Sequence, residues 1–235
     1  MPRPCRFAAY AIIFSSIIAS AQSENNQQTH LPHPAKWSPK AQEMFVSYWT
    51  LEPGWSTELE VRNNIAHRDL TVTPVLRTMA GTEIILTPVT VPPEHVAAID
   101  LRQAISSTAP ELLDRADSYG SVVCRYSSNS GSNVFAATMV QRNGTPIAFH
   151  FDEEPIDAEW NAGSMESIWW LPRSTSSDYL ILSNASNRPV TASLDVTDAA
   201  GRNSRQGIGL GPAQTMRIDM RAIAQAAHLT DPKVE

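Results

Sequence analysis

Hydrophobic and polar positions alternate along most of the chain with a period of two. Leu59 and Val61 alternate with Glu58, Glu60 and Arg62; then Leu70, Val72, Pro74 and Leu76 take one side of a second run while Thr71, Thr73, Val75 and Arg77 take the other. This is the period of a half-buried strand, because successive side chains leave opposite faces of a pleated backbone. Pro74 predicts an edge position or a bulge for its strand, since proline has no N–H to give to a ladder. After a turn at Ala80-Gly81, Ile84 to Leu86 and Val89 to Val91 read as short strands, Pro92-Pro93 interrupts, and His95, Ala97 and Ile99 alternate up to Asp100. Asp100 precedes a short apolar run to Ile105 and is the expected N-cap of one or two helical turns, its carboxylate accepting from the first free N–H groups.

The same text is written again from Ile168 to Ala224. Trp49 and Leu51 correspond to Trp169 and Leu171, and Leu59, Val61 and Asn63 to Leu180, Leu182 and Asn184. Leu70-Thr71-Val72 corresponds to Val190-Thr191-Ala192, Gly81 to Gly201, Pro93 to Pro212, and Ile99-Asp100-Leu101-Arg102 to Ile218-Asp219-Met220-Arg221. The offset drifts from about 121 residues to about 119, which single-residue changes in turns produce. In the second copy Val190, Ala192, Leu194 and Val196 alternate with Thr191, Ser193, Asp195 and Thr197, and Asp219 opens a longer helix running to about His228.

Between the copies lie three more strand candidates: Ser121 to Tyr126, Val134 to Gln141 and Pro146 to Phe151. Asn143-Gly144 between the last two is a strong hairpin signal. Many short strands, close turn signals and little helix predict an all-β protein, an antiparallel immunoglobulin-like β-sandwich built on an internal repeat whose copies each close on a short helix. The expected divisions are a signal peptide over 1–21, a disordered leader over 22–43, a first sandwich module over 44–152, an acidic linker over 153–167 and a second, incomplete repeat over 168–235. The second copy has no partner hairpin after Ala224, so it is expected to dock on the first copy or on another chain.

Each copy runs from an apolar strand ending in Arg-Asn-Asn or Ser-Asn, through a Thr- and Val-rich strand and a glycine turn, to a proline-centred turn and a closing Ile-Asp-Leu or Ile-Asp-Met. In this phrasing the chain resembles secreted and surface bacterial proteins built from tandem immunoglobulin-like modules. The resemblance implies a spacer, adhesion unit or stabilising appendage, and it carries over no functional residue.

The N-terminus sharpens the compartment. Arg3 and Arg6 precede an apolar run from Phe7 to Ile18 and then Ala19-Ser20-Ala21, the form of a signal peptide cut after Ala21. The run is too short for a permanent membrane anchor. Export to the periplasm or medium is therefore expected, with no stable membrane span after cleavage. Removing the signal leaves 16 Lys and Arg against 24 acids, −8 instead of −6. A field of that sign disfavours nucleic acid and anionic lipid. Cys5 belongs to the signal, so Cys124 is left alone without an intramolecular disulfide, in a strand-like run that suits a buried small hydrophobe.

Candidate chemistry is sparse. The chain has no phosphate-cradling glycine loop, no Gly-x-Ser-x-Gly elbow, no His-Glu-x-x-His and no Cys-x-x-Cys. The expected function is a non-enzymatic structural or binding module without a cofactor; the alternative is a carbohydrate-binding or loop-site enzyme accessory protein that uses exposed tryptophans or the acidic segment at His150 and Asp152. Two groups of residues are candidates for ligands. His150, Asp152, Glu153 and Glu154 place an imidazole and carboxylates on one strand end, an oxygen-rich set of the kind calcium accepts, although at a spacing that matches no known loop. Trp55 and Trp160 have no counterpart in the other copy, and unrepeated aromatic faces suit a surface polysaccharide or another protein. Self-association through the second repeat is a further expectation. Asn143-Gly144-Thr145 and Asn184-Ala185-Ser186 fit the glycosylation acceptor pattern, though turn chemistry accounts for both.

Overall fold

The computed structural model describes residues 40–155 and 178–229. The expected signal peptide, most of the expected leader, the expected linker beyond Pro155, Trp160, Trp169 and Trp170 lie outside the described residues. The elements are β1 (Lys40–Thr50), β2 (Trp55–Asn63), β3 (Leu70–Thr78), β4 (Glu83–Ile85), β5 (Val89–Val91), β6 (Val96–Asp100) and α1 (Leu101–Ser106). They continue with β7 (Tyr119–Ser128), β8 (Val134–Arg142), β9 (Ala148–Pro155), β10 (Tyr179–Ser183), β11 (Val190–Thr197), β12 (Asn203–Leu210), β13 (Thr215–Asp219) and α2 (Met220–Ala226). All strand pairs are antiparallel.

The first nine strands form one hydrogen-bonded path in the order β4-β3-β7-β1-β9-β8-β2-β6, with β5 also on β3. β9 is the corner. Ala148 to Asp152 pair with β8, and Glu153 to Pro155 cross to pair with Val46 to Met44 of β1. Strands on both sides of this corner feed one core: Val46 and Trp49 of β1, Val72 and Leu76 of β3, Val122 and Cys124 of β7 meet Leu59 and Val61 of β2 and Val134 and Ala136 of β8. Trp49 is wholly buried, and its indole N–H is shared between the carbonyls of Arg77 and Ser121. Burying the large aromatic surface at that point therefore leaves no donor unpaired.

β10 pairs with β13 and β11 with β12 in the registers of the first half. Leu59 faces Ile99 as Leu180 faces Ile218, and Leu70 faces Val91 as Val190 faces Leu210. Asn63 accepts from Ile65 N and donates to the carbonyls of Arg68, Val91 and Pro92; Asn184 accepts from Ser186 N and donates to those of Arg188 and Gly211. Each asparagine ties the loop after its strand to the turn before the closing strand. Asp100 caps α1 and Asp219 caps α2 through the same bond to the N–H two residues on. The second half has its own small core of Val196, Met220, Ala224 and Leu229, with Leu180 and Leu194 against it.

Two boundaries and the position of one proline differ from the sequence expectation. β1 begins at Lys40, inside the predicted leader, because its polar start pairs by backbone with Tyr126 to Ser128 where no apolar pattern is needed. β9 runs on to Pro155, into the predicted linker, by the strand exchange at the corner. Pro74 sits in an interior strand, paired with Cys124 of β7. Its carbonyl accepts from Leu86 N, so its donorless nitrogen faces the gap between β4 and β5, where no ladder bond is lost.

Candidate binding site at the junction of the repeats

Residues 40–155 and residues 178–229 meet along an aromatic seam. The outward positions of β2 are Glu58, Glu60 and Arg62; at the corresponding register positions of β10 stand Tyr179, Ile181 and Ser183. This face of β10 is a contact face. Ile181 packs on the cluster of Tyr48, Tyr119 and Val140, and Ser183 Oγ donates to Ser47 O at 2.7 Å. Next to it Ala185 lies on the outer side of β1, β3 and β7, against Phe45, Val75 and Val123, and its carbonyl accepts from Arg77 Nη1 at 2.9 Å. Thr215 N donates to Met79 O, and Gly81 meets the Pro212 turn so closely that a Cβ there would lie 2.4 Å from Pro212 O.

Arg217 of β13 is the charged member of the seam. Its Nη1 and Nη2 bond Glu52 Oε2 and Oε1 at 2.5 and 2.9 Å, and its guanidinium carbon lies 4.9 Å from the ring centres of both Tyr119 and Tyr179. Fork geometry on a carboxylate together with stacking on two rings is what a guanidinium provides and an ammonium does not. The hydrogen bond to Glu52 raises the Arg217 pKa further, so the cation is permanent. Burial pushes the Tyr48 hydroxyl above its usual range, against the lowering influence of Arg217.

The seam continues outward along β9. Tyr48 lies 5.3 Å from Phe151 and 6.1 Å from Tyr119, and Trp55 lies 6.1 Å from Phe149. Phe149 and Tyr179 are each 45% exposed, and Trp55 beside Phe149 is half-buried. Trp55 is thus part of an aromatic ridge with one edge in solvent. Trp160 lies outside the described residues.

The proposed metal residues separate. His150 Nδ1 and Asp152 Oδ1 are 3.1 Å apart on the exposed outer face of β9. Glu153 is turned away from them: its Oε2 accepts from Ala136 N at 2.5 Å, and its charge acts on Cys124 and Tyr126. The Glu154 side chain lies outside the described residues. Among the described residues no three His, Cys, Asp or Glu gather around a point that would hold a metal. Burial, with Glu153 adding to it, pushes the Cys124 thiol up to about 12, the setting of an inert core thiol. Asn184 is buried with its amide donating to two carbonyls, which leaves no room for a glycan on the folded chain; Asn143 is exposed in the hairpin loop.

Two open concavities complete the surface. One of about 330 Å³ is lined by Glu60, Arg62, Asn64, Val96 and Phe135, and one of about 300 Å³ lies beside Met79, Leu112 and Arg115. Among the described residues no helix is long and apolar enough to cross a membrane.

Comparison with protein-family models, curated proteins and solved structures yields no match. The aromatic seam and Arg217 escaped the pattern reading. Their signal was the difference between the copies: where the first copy has Glu58, Glu60 and Ala98, the second has Tyr179, Ile181 and Arg217.

Proposed function

We propose that this chain is an exported, non-enzymatic structural or binding module of the cell envelope or extracellular space, built as two immunoglobulin-like repeats held in a fixed mutual orientation. The observation that carries the reading is the junction. Its hydrogen bonds, ion pair and apolar contacts join residues more than a hundred positions apart, as with Arg217 on Glu52 and Arg77 on Ala185. Tandem modules with a packed junction transmit position and load between their ends, whereas modules on a free linker do not. Export rests on the pattern of Arg3, Arg6, the apolar run and Ala19-Ser20-Ala21. The test is small-angle scattering of the purified chain together with fractionation of its native host. A single rigid particle recovered outside the cytoplasm fits the reading, and independently tumbling repeats or a cytoplasmic chain overturn it.

A second reading has its own observation. The pair of Trp55 and Phe149 presents aromatic surface to solvent, suited to stacking on sugar rings, so the chain would serve as a carbohydrate-binding accessory. Titration with surface polysaccharides while following tryptophan emission decides it. A shift lost in Trp55→Ala supports this reading, and unchanged emission removes it.

A further inference from the structure

Side chains of β9 leave alternate faces of its sheet, because a pleated strand repeats every two residues. Glu153 turns to Ala136 N, while His150 and Asp152 share the outer face, where both are exposed. β8 adds a third residue to that face. Met139 stands directly opposite His150 in the β8–β9 register, so the two side chains leave the same side of the sheet, and Met139 is exposed as well.

These three side chains bring an imidazole nitrogen, a carboxylate oxygen and a thioether sulfur to one spot. His150 Nδ1 and Asp152 Oδ1 are 3.1 Å apart. That separation suits a hydrogen bond, and it also suits two ligands of one ion: donors 2.0 to 2.1 Å from a metal, at square or tetrahedral angles, stand roughly 2.8 to 3.4 Å from each other. A cation can therefore replace the proton between them. The guanidinium pairs Arg115–Asp117 and Arg205–Asp195 cannot make this exchange, since arginine keeps its protons, whereas a neutral imidazole offers a lone pair. Facing residues of antiparallel strands have Cβ atoms about 4.5 to 5.5 Å apart, and the methionine side chain is unbranched and flexible, which puts the Met139 sulfur within reach of the same ion.

We propose that His150, Asp152 and Met139 form a surface site for one copper ion, with His150 and Asp152 as the two principal ligands and Met139 as a weaker third. The donor set chooses the metal. Calcium takes about six to eight oxygens, and only one carboxylate stands here beside the imidazole. An imidazole–carboxylate pair holds Cu(II) more tightly than the other divalent first-row ions, and the thioether adds affinity for Cu(I). The site rests on neither the scaffold reading nor the polysaccharide reading.

The experiment is titration of the isotope-labelled full chain with copper(II) sulfate, followed by two-dimensional NMR and calorimetry. Other histidines of the chain, exposed His95 among them, also attract Cu(II), so the readout is specific to position. Paramagnetic broadening of the Met139, His150 and Asp152 amide signals is expected before one equivalent of copper is added. His150→Ala is expected to abolish that broadening and to weaken copper binding at this site about tenfold or more, while His95→Ala leaves both unchanged. Under reducing conditions, competition against bathocuproine is expected to show Met139→Leu losing about tenfold in Cu(I) affinity, with Cu(II) affinity changed by less than about threefold. Circular dichroism reports whether each variant is folded; should one misfold, the position-specific broadening in the unmodified chain is the equivalent positive result. Signals of Met139, His150 and Asp152 that stay sharp, broadening that persists in folded His150→Ala, Cu(I) affinity indifferent to Met139→Leu, or displacement of the copper by an equal concentration of calcium chloride overturns the proposal.

Discussion

Gly81 and Gly201 each sit in a turn with a left-handed backbone, φ +86° and +78°, and they separate a local requirement from a tertiary one. A Cβ at Gly201 meets nothing within 4 Å, so Gly201→Ala pays for the left-handed backbone alone, about 1 to 2 kcal/mol. Gly81→Ala adds a clash with the backbone at Pro212 O and is expected to cost roughly 3 kcal/mol or more, since the two turns must separate. Urea unfolding of both variants checks the order. Equal losses would mean that the Gly81 contact yields freely. Cys124 and Tyr126 make a second prediction at this scale. Burial raises the folded pKa of Cys124 from 9.0 to about 12 and that of Tyr126 from 10.0 to about 12. Both are acids kept neutral in the folded state, so the unfolded chain releases these protons first. Their contribution is intact below pH 9 and is lost as the pH rises towards 12, at up to about 1.4 kcal/mol per pH unit for each proton. Urea midpoints measured between pH 8 and 11 are expected to fall from pH 9 upward, and Cys124→Ala is expected to delay the fall to about pH 10. A flat profile in the parent chain would exclude this origin.

At the scale of elements, the junction tests whether an ion pair or packed apolar surface holds residues 178–229 against residues 40–155. Glu52 and Arg217 are mostly buried, with 12% and 26% of their side chains exposed. Arg217→Leu leaves the Glu52 carboxylate half-wrapped without its cation and is expected to cost about 2 to 4 kcal/mol, whereas Glu52→Leu with Arg217→Leu is expected to recover at least half of that loss. A double variant as unstable as the single one would assign the junction to the pair itself. Much of the element plan was legible in the sequence, because strands with one wet face write their burial as alternation: β2, β3, β6 and β11, the Asn143-Gly144 hairpin and the caps at Asp100 and Asp219 all lie where the pattern predicts them. Partners that depend on backbone alone were not legible. Lys40 to Glu43 join β1 through main-chain bonds, Pro74 is accommodated by a gap in a neighbouring strand, and β9 changes partners within one run of residues. The aromatic seam was written in the sequence only as departures between aligned copies, and its geometry depends on β10 and β13 lying across Tyr48 and Tyr119, contacts distant along the chain.

For the whole molecule, residues 40–155 and 178–229 share strand-pair registers but differ in self-sufficiency. Residues 40–155 contain both sides of a core in which Trp49, Leu51, Leu59, Leu76, Leu101 and Ile105 are fully buried. Among residues 178–229, full burial of that kind is confined to polar Thr215, and Leu180, Leu182, Leu194 and Ile218 are only half-covered. A two-stranded pair is marginal in water unless a further surface covers it, and two such pairs with one short helix make a small core. Residues 178–229 therefore draw their stability from the seam: from Ile181 and Ala185 on the first half, from Ser183 on Ser47 and from Arg217 on Glu52. A chain of residues 40–155 is expected to unfold cooperatively in urea, while residues 178–229 alone, in dilute solution, are expected to lack near-ultraviolet dichroism and a cooperative transition. Added in trans, residues 40–155 should induce order in the 178–229 peptide, and Arg217→Leu in that peptide should weaken the effect. Cooperative folding of 178–229 by itself would show that its own core suffices, and the seam would then be a contact between two stable bodies.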